Sequence, residues 1–282
     1  MVESDKTINV LGFHTSTLSR EEILKTATHW IESRSTSHHL MALNPIKVCR
    51  ARKEHVLMQH ILNADLLYPD AYGIAWAMTR LSKQKYAPIP GCDLMYDIME
   101  IASKKKLKVF LLGGAQTIVE KTKDIFQRKY PGASIVGIRN GYFQNEAETQ
   151  STLSEIIRVQ PDIVFVAMGA LIQENWIERI MKKAKLESTV IPLCMGVGGS
   201  FDAVTGNVSR PPAWMLRLHL EWLFRLLQQP FRAPRMIALP QFALLILAKK
   251  IFKLNTDHHV SSALTDIDRE LTSNNLNSKA EV

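Results

Sequence analysis

Val109-Phe-Leu-Leu-Gly-Gly114 opens the most legible part of this 282-residue chain. Four apolar residues in a row read as a strand buried on both faces, and the glycine pair as the turn that closes it. Helical periodicity follows over 117–129, then a strand over 134–138 and a helix over 146–159. Asp162-Ile-Val-Phe-Val-Ala167 repeats the pattern: a buried strand ending at Gly169, a helix over 171–184, and a strand over 189–195 ending at Gly196. Alternation of this kind predicts a parallel sheet, because parallel neighbours need a crossover long enough to hold a helix.

The same rhythm extends toward the N-terminus. A strand is expected over 7–11, and Ser19-Arg-Glu-Glu22 is a capping box for a helix to about residue 33. A strand over 39–43 runs into Pro45, which suits the first turn of the next helix. A short strand over 65–68, a helix over 72–81, a break at Gly91 and a helix over 93–103 complete this half. The expected fold is α/β: a Rossmann-like parallel sheet, or sheets, flanked by helices, with a helical basic C-terminal appendage. The expected organisation is a catalytic core over 1–206 in one or two lobes, the appendage over 207–253, and a disordered polar tail over 254–282.

Apolar and charged fractions of 46% and 22% are those of an ordinary globular protein. Three scattered cysteines without a CxxC pair point to a reducing compartment. Residues 1–9 lack the apolar core of a secretory signal, and the apolar run over 236–248 is too short to span a bilayer. The formal charge of +8 is unevenly placed: residues 207–253 hold eight Arg or Lys and one acid, Glu221. In that segment Trp214, Trp222, Phe224 and several leucines alternate with Arg210, Arg217 and Arg225, and Arg232 and Arg235 follow. Interfacial membrane helices have this content, and so do amphipathic core helices with solvated arginines. The charge asymmetry favours an anionic ligand or surface.

Open α/β sheets bind ligands outside the carboxyl ends of their strands. Five places put polar residues or glycines there: Asn44, Asp70, Gly113-Gly114, Gly169 with Gln173-Glu174, and Gly196-Val-Gly198-Gly199-Ser-Phe-Asp202. Glycine turns let backbone N–H groups approach a phosphate, although they also occur for packing reasons alone. Asp70 could act as a general base or as a helix N-cap. No HExxH pattern, P-loop or GxGxxG after a strand is present. Neither a metal nor a cofactor is expected. Two other readings are open: a Rossmann-like dinucleotide-dependent oxidoreductase, which the missing GxGxxG disfavours, and a basic nucleic-acid-binding protein, suggested by the pI of 9.4.

Over residues 8–250 the chain resembles the WecG/TagA/CpsF glycosyltransferases, glycosyltransferase family 26. The blocks that carry the resemblance are Met195-Gly-Val-Gly-Gly-Ser-Phe-Asp202, Leu220-Glu-Trp-Leu-Phe-Arg-Leu226 and Val166-Ala-Met-Gly169 with Gln173-Glu174. Tyr68-Pro-Asp70, Pro90-Gly91-Cys-Asp93, Gly141-Tyr142-Phe143 and Asn44 add to them. The look is nearest to the UDP-N-acetylmannosaminuronic acid transferases. The resemblance implies an inverting, metal-independent hexosyltransferase. It would move a sugar from a UDP-sugar to a saccharide on a polyprenyl diphosphate, in cell-surface polysaccharide synthesis. It implies Asp70 as the base and Asn44 as a pocket residue. Tyr142, Gln173 and Asp202 would meet the nucleotide-sugar alongside the glycines Gly113, Gly114, Gly169 and Gly198. Arg210, Arg217, Arg225, Arg232 and Arg235 would grip the diphosphate at the membrane. A cytoplasmic protein on the inner face of the plasma membrane, able to form a homo-oligomer and without nucleic acid, is the corresponding expectation. Four departures bear on the donor: Ala71, Pro88, Ala42 and Ala170-Leu-Ile172 stand where relatives carry other residues.

Overall fold

The computed structural model describes residues 6–208, 212, 214–215, 221–228, 230 and 233–252. An antiparallel hairpin, β1 (Thr7–Val10) and β2 (Phe13–Ser16), comes first. Its second strand was not anticipated. Leu11 and Gly12 turn the chain with φ of 54° and 100°, and Gly12 N–H donates to Asn9 Oδ1 at 2.8 Å. Helix α1 (Arg20–Ser33) starts on the expected capping box, with Ser19 accepting from Glu22 N–H and Glu22 accepting from Ser19 N–H.

The remaining strands form one sheet. In chain order they are β3 (His38–Leu43), β4 (Leu66–Pro69), β5 (Lys108–Gly113), β6 (Ser134–Arg139), β7 (Ile163–Ala167) and β8 (Leu193–Gly196). Their spatial order is β4-β3-β8-β7-β5-β6 and every pairing is parallel. Strand β8 is shorter than expected. Pro192 has no N–H for a ladder, and Ile191 N–H is taken by Ser37 Oγ instead.

Between the strands run α2 (Pro45–Ala51), α3 (His55–Leu62), α4 (Tyr72–Ser82), α5 (Gly91–Lys105), α6 (Gln116–Lys129), α7 (Glu146–Val159), α8 (Ile172–Leu186) and α9 (Ser200–Val204). The segment after Pro45 is two helices rather than one, and α9 was not foreseen. The described C-terminal residues form α10 (Glu221–Gln228), α11 (Ala233–Met236) and α12 (Ala238–Phe252).

Side chains alternate across the strands and so build two faces. Leu40, Leu66, Tyr68, Leu111 and Phe165 face α1, α5 and α6. Met41, Leu43 and Leu67 face α2, α3, α4 and α12, while Phe110, Leu112, Val164 and Val166 face α7 and α8. Helix α12 belongs to this second layer: Phe242 is 2% exposed and Ile246 fully buried, against α2 and α4. Lys249 Nζ also reaches Asn9 Oδ1 of the hairpin turn at 3.2 Å. No helix among the described residues is long and apolar enough to cross a membrane.

Candidate active site

All the carboxyl ends of the six parallel strands lie on one edge, so strand order fixes the order of the candidate residues. Asp70 follows β4, Asn44 follows β3, Gly198 lies beyond β8, Gly169 beyond β7, and Gly113-Gly114 closes β5. With strands about 4.8 Å apart, this ledge is roughly 24 Å long. Tyr142 belongs to the loop after β6, which folds back over β5: Gly141 N–H donates to Gly114 O at 2.8 Å. That loop borders a cavity of about 430 Å³, where Arg139 pairs with Glu148 at 2.7 Å and lies over the Phe143 ring. Tyr142 is 72% exposed there.

The two central turns touch. Gly113 has φ of 120°, and a Cβ on it would stand 2.3 Å from Ala167 O, so only glycine fits. Gly114 N–H donates to the same carbonyl at 2.9 Å. The crevice between β5 and β7 is where chain connections leave in opposite directions, a topological switch point of the kind that binds ligands.

Asp70 lies at one end of this row, after the edge strand β4. Residues 68 and 70 share the sheet face that packs on α5. Asp70 Oδ1 accordingly accepts from Gly91 N–H, at the start of α5, at 2.6 Å. The side chain thus caps a helix, but not the next one: α4 is preceded by Ala71, whose φ of −120° any residue can adopt. The departure at Ala71 therefore costs the backbone nothing. Gly91 was expected to break the chain, yet it opens α5 because space is short. A Cβ there would meet Tyr68 Oη at 2.8 Å and Asp70 Oδ1 at 3.1 Å. Tyr68 is fully buried, its hydroxyl lacks a hydrogen-bond partner among the described residues, and burial together with the Asp70 carboxylate holds its pKa well above the usual value. Asp70 itself remains partly open to solvent.

Asn44 is the N-cap of α2, its Oδ1 accepting from Lys47 N–H at 2.9 Å. Its amide NH₂ is not used by the cap. Gln173 is 4% exposed, and both ends of its amide are engaged: Nε2 donates to Glu174 Oε1 at 2.9 Å and Oε1 accepts from Gly198 N–H at 3.0 Å. It lies across Gly196, where a Cβ would be 2.5 Å from Gln173 Nε2. Asp202 sits in the short helix α9, partly buried, on the opposite face of the sheet from α8. Arg235 is exposed in α11. Arg225 has its backbone in α10, while Arg210, Arg217 and Arg232 lie outside the described residues. Sequence reasoning missed Lys47 and His39, both buried beneath the ledge. A lysine between Ile46 and Val48 gives no periodic signal that it points inward.

A parallel sheet with glycine turns and a partly open carboxylate along its carboxyl edge is the arrangement in which α/β enzymes hold phosphorylated ligands. Comparison with known proteins makes this specific. Residues 8–256 match the family described as the glycosyl transferase WecG/TagA/CpsF family. A Bacillus subtilis (strain 168) N-acetylglucosaminyldiphosphoundecaprenol N-acetyl-beta-D-mannosaminyltransferase is 32% identical over 215 residues, 75% of this chain and 79% of that one. The Staphylococcus aureus (strain MW2) protein of the same description is 30% identical over 236 residues, covering 83% and 90%. The chain belongs to the WecG/TagA/CpsF glycosyl transferase family. It is a hexosyltransferase, which sets aside the oxidoreductase and nucleic-acid-binding readings.

Proposed function

We propose that this enzyme transfers N-acetylmannosamine from its UDP conjugate to an N-acetylglucosamine carried on undecaprenyl diphosphate. The names of the relatives support that acceptor and the neutral sugar rather than its uronic acid. Their products are β-linked by name, and an α-linked UDP donor would give such a product by inversion.

One observation carries the mechanism: the Asp70 carboxyl stands at the edge of the glycine-lined ledge, one strand from Asn44, oriented by Gly91 N–H. Asp70 takes the proton of the acceptor hydroxyl as its oxygen bonds to the anomeric carbon. The bond from that carbon to the UDP oxygen breaks on the opposite face. General-base help of this kind contributes about 10² to 10⁴-fold. Negative charge gathers on the leaving diphosphate. The Gly114 and Gly198 N–H groups are taken by Ala167 O and Gln173 Oε1 and shape these turns. The other N–H groups of the Gly113-Gly114, Gly169 and Gly198 turns would receive it, with positive charge from the C-terminal arginines Arg210, Arg217, Arg225, Arg232 and Arg235. Tyr142 and Asp202 would contact the nucleotide, and Asn44 would offer its amide NH₂ to the sugar. No metal is needed in this scheme.

Such an acceptor would bring the enzyme to a membrane surface. Exposed apolar side chains in the C-terminal part support peripheral attachment: Trp214, Trp222, Leu227, Ile237 and Leu244 are all 43–70% exposed. The test is release of UDP and formation of the disaccharide lipid from UDP-N-acetylmannosamine and a GlcNAc-diphosphoprenol acceptor. Asp70→Asn should fold normally and lose about 10² to 10⁴-fold in kcat. A full transfer rate in that variant would remove Asp70 from the reaction.

A further inference from the structure

Beneath the ledge lies an ion pair that the chemistry above does not use. Lys47 Nζ is 2.9 Å from Glu174 Oε1, and the two side chains are 3% and 0% exposed. Each atom of the pair holds a different strand end. Lys47 Nζ also donates to Ala42 O of β3 at 2.8 Å. Glu174 Oε2 accepts from the N–H of Leu171, in the loop after β7. Glu174 Oε1 takes a second donor, Gln173 Nε2, whose amide oxygen in turn holds Gly198 N–H beyond β8. Backbone and side chains thus join Asn44, Leu171 and Gly198 in one chain of hydrogen bonds.

Leu171 shows why such a tie is needed. Its φ of 77° and ψ of −49° place a leucine in a region that side chains avoid, next to the rare γ-turn. Strain of that sort persists only where surrounding contacts hold it, and it gathers at functional loops. Leu171 O accepts from Asn175 N–H and its side chain packs on the core, and the Glu174 carboxylate holds its N–H. That carboxylate is itself buried; Lys47 and the Gln173 amide more than offset the burial and keep its pKa below the usual range. Ion pairs sealed from water often give no more stability than apolar pairs of equal volume. Their physical yield is fixed geometry.

We infer that Lys47 and Glu174 are positioning residues: the pair locks the β7–α8 and β8–α9 turns against Asn44, so that the N–H groups meeting the donor diphosphate stay in register with the sugar-side residues. This depends on the glycosyltransferase reading of the ledge. Neither residue touches substrate.

The test compares the parent with Lys47→Met/Glu174→Met and with Glu174→Gln. Two methionines in place of the pair remove both buried charges but leave Ala42 O, Leu171 N–H and Gln173 Nε2 without these partners, so the double variant should melt lower than the parent yet stay folded at the assay temperature. The kcat for transfer should nevertheless fall by at least about tenfold, because displacements near 1 Å at a reacting site have effects of this order or more. KM for the lipid acceptor should not change. Hydrogen exchange at the Leu171 and Gly198 amides should quicken in the variant, with the β5 and β7 amides unaffected; this readout needs no substrate. A double variant with parental kcat and parental exchange at those two amides would overturn the inference. Should the double variant not fold, Glu174→Gln decides on the same two measurements. Absence of any transfer by the parent would count against the glycosyltransferase scheme and would leave the exchange result to judge the latch.

Discussion

In the proposed reaction Asp70 carries two roles. Its Oδ1 caps α5 through Gly91 N–H, and its carboxyl faces the ledge. The roles separate by substitution. Asparagine keeps a side-chain oxygen for Gly91, whereas Asp70→Ala loses the cap as well, costing about 1 kcal/mol of stability. Both variants should lose transfer, but only the alanine should lower the denaturation midpoint. His39 sets a second expectation at this scale. Burial pushes its pKa down to about 4, and Glu174, Lys47, Asp65 and His60 surround it. An unfolded chain takes up a proton near pH 6.5, which the folded chain refuses until about pH 4. The His39 contribution is therefore complete above pH 6.5 and is lost as pH falls toward 4, about 3 kcal/mol in all. Denaturant titrations between those limits should show the slope, and His39→Leu should flatten it. Asp70 at a strand end was legible in the sequence; the helix it caps was not. The partner N–H lies 21 residues away and is reached only because residue 70 points to the α5 face.

Most of the elements followed from local pattern. The α1 capping box, Pro45 at the first turn of α2, and α7 over Glu146–Val159 were all legible, since caps and periodicity act within a few residues. Strand β2, Phe13-His-Thr-Ser16, escaped because it has no apolar run to mark it, and helix α9 because five residues are too few for a helical period to show. The end of the basic segment was read correctly as helical, but its inward face was not. In α12, Phe242 packs into the core beside α2 and α4, while Leu244 is 67% exposed. Phe242→Ala should destabilise the protein by about 3 kcal/mol or more in chemical denaturation. Leu244→Ala should change stability by less than about 0.5 kcal/mol and weaken binding to lipid vesicles.

At the scale of the molecule, positive charge and exposed apolar side chains meet in one segment of the chain. Residues 207–253 carry eight of the chain's 35 Lys and Arg and a single acid, and the exposed tryptophans and leucines lie in the same stretch. Vesicles containing anionic lipid should bind the enzyme at low ionic strength and release much of it at high salt, whereas neutral vesicles should show little of this dependence. Sedimentation with vesicles measures both. Sequence by itself settled the α/β class, the run of parallel strands, the glycine turns and the family, because these are written in short-range pattern and in blocks of residues. Tertiary structure alone decided the strand order, which ranks Asp70, Asn44 and the glycines along one edge. It also decided the helix that Asp70 caps and the pairing of Lys47 with Glu174 across 127 residues. Contacts of that separation depend on how the sheet is assembled, and no local propensity encodes them.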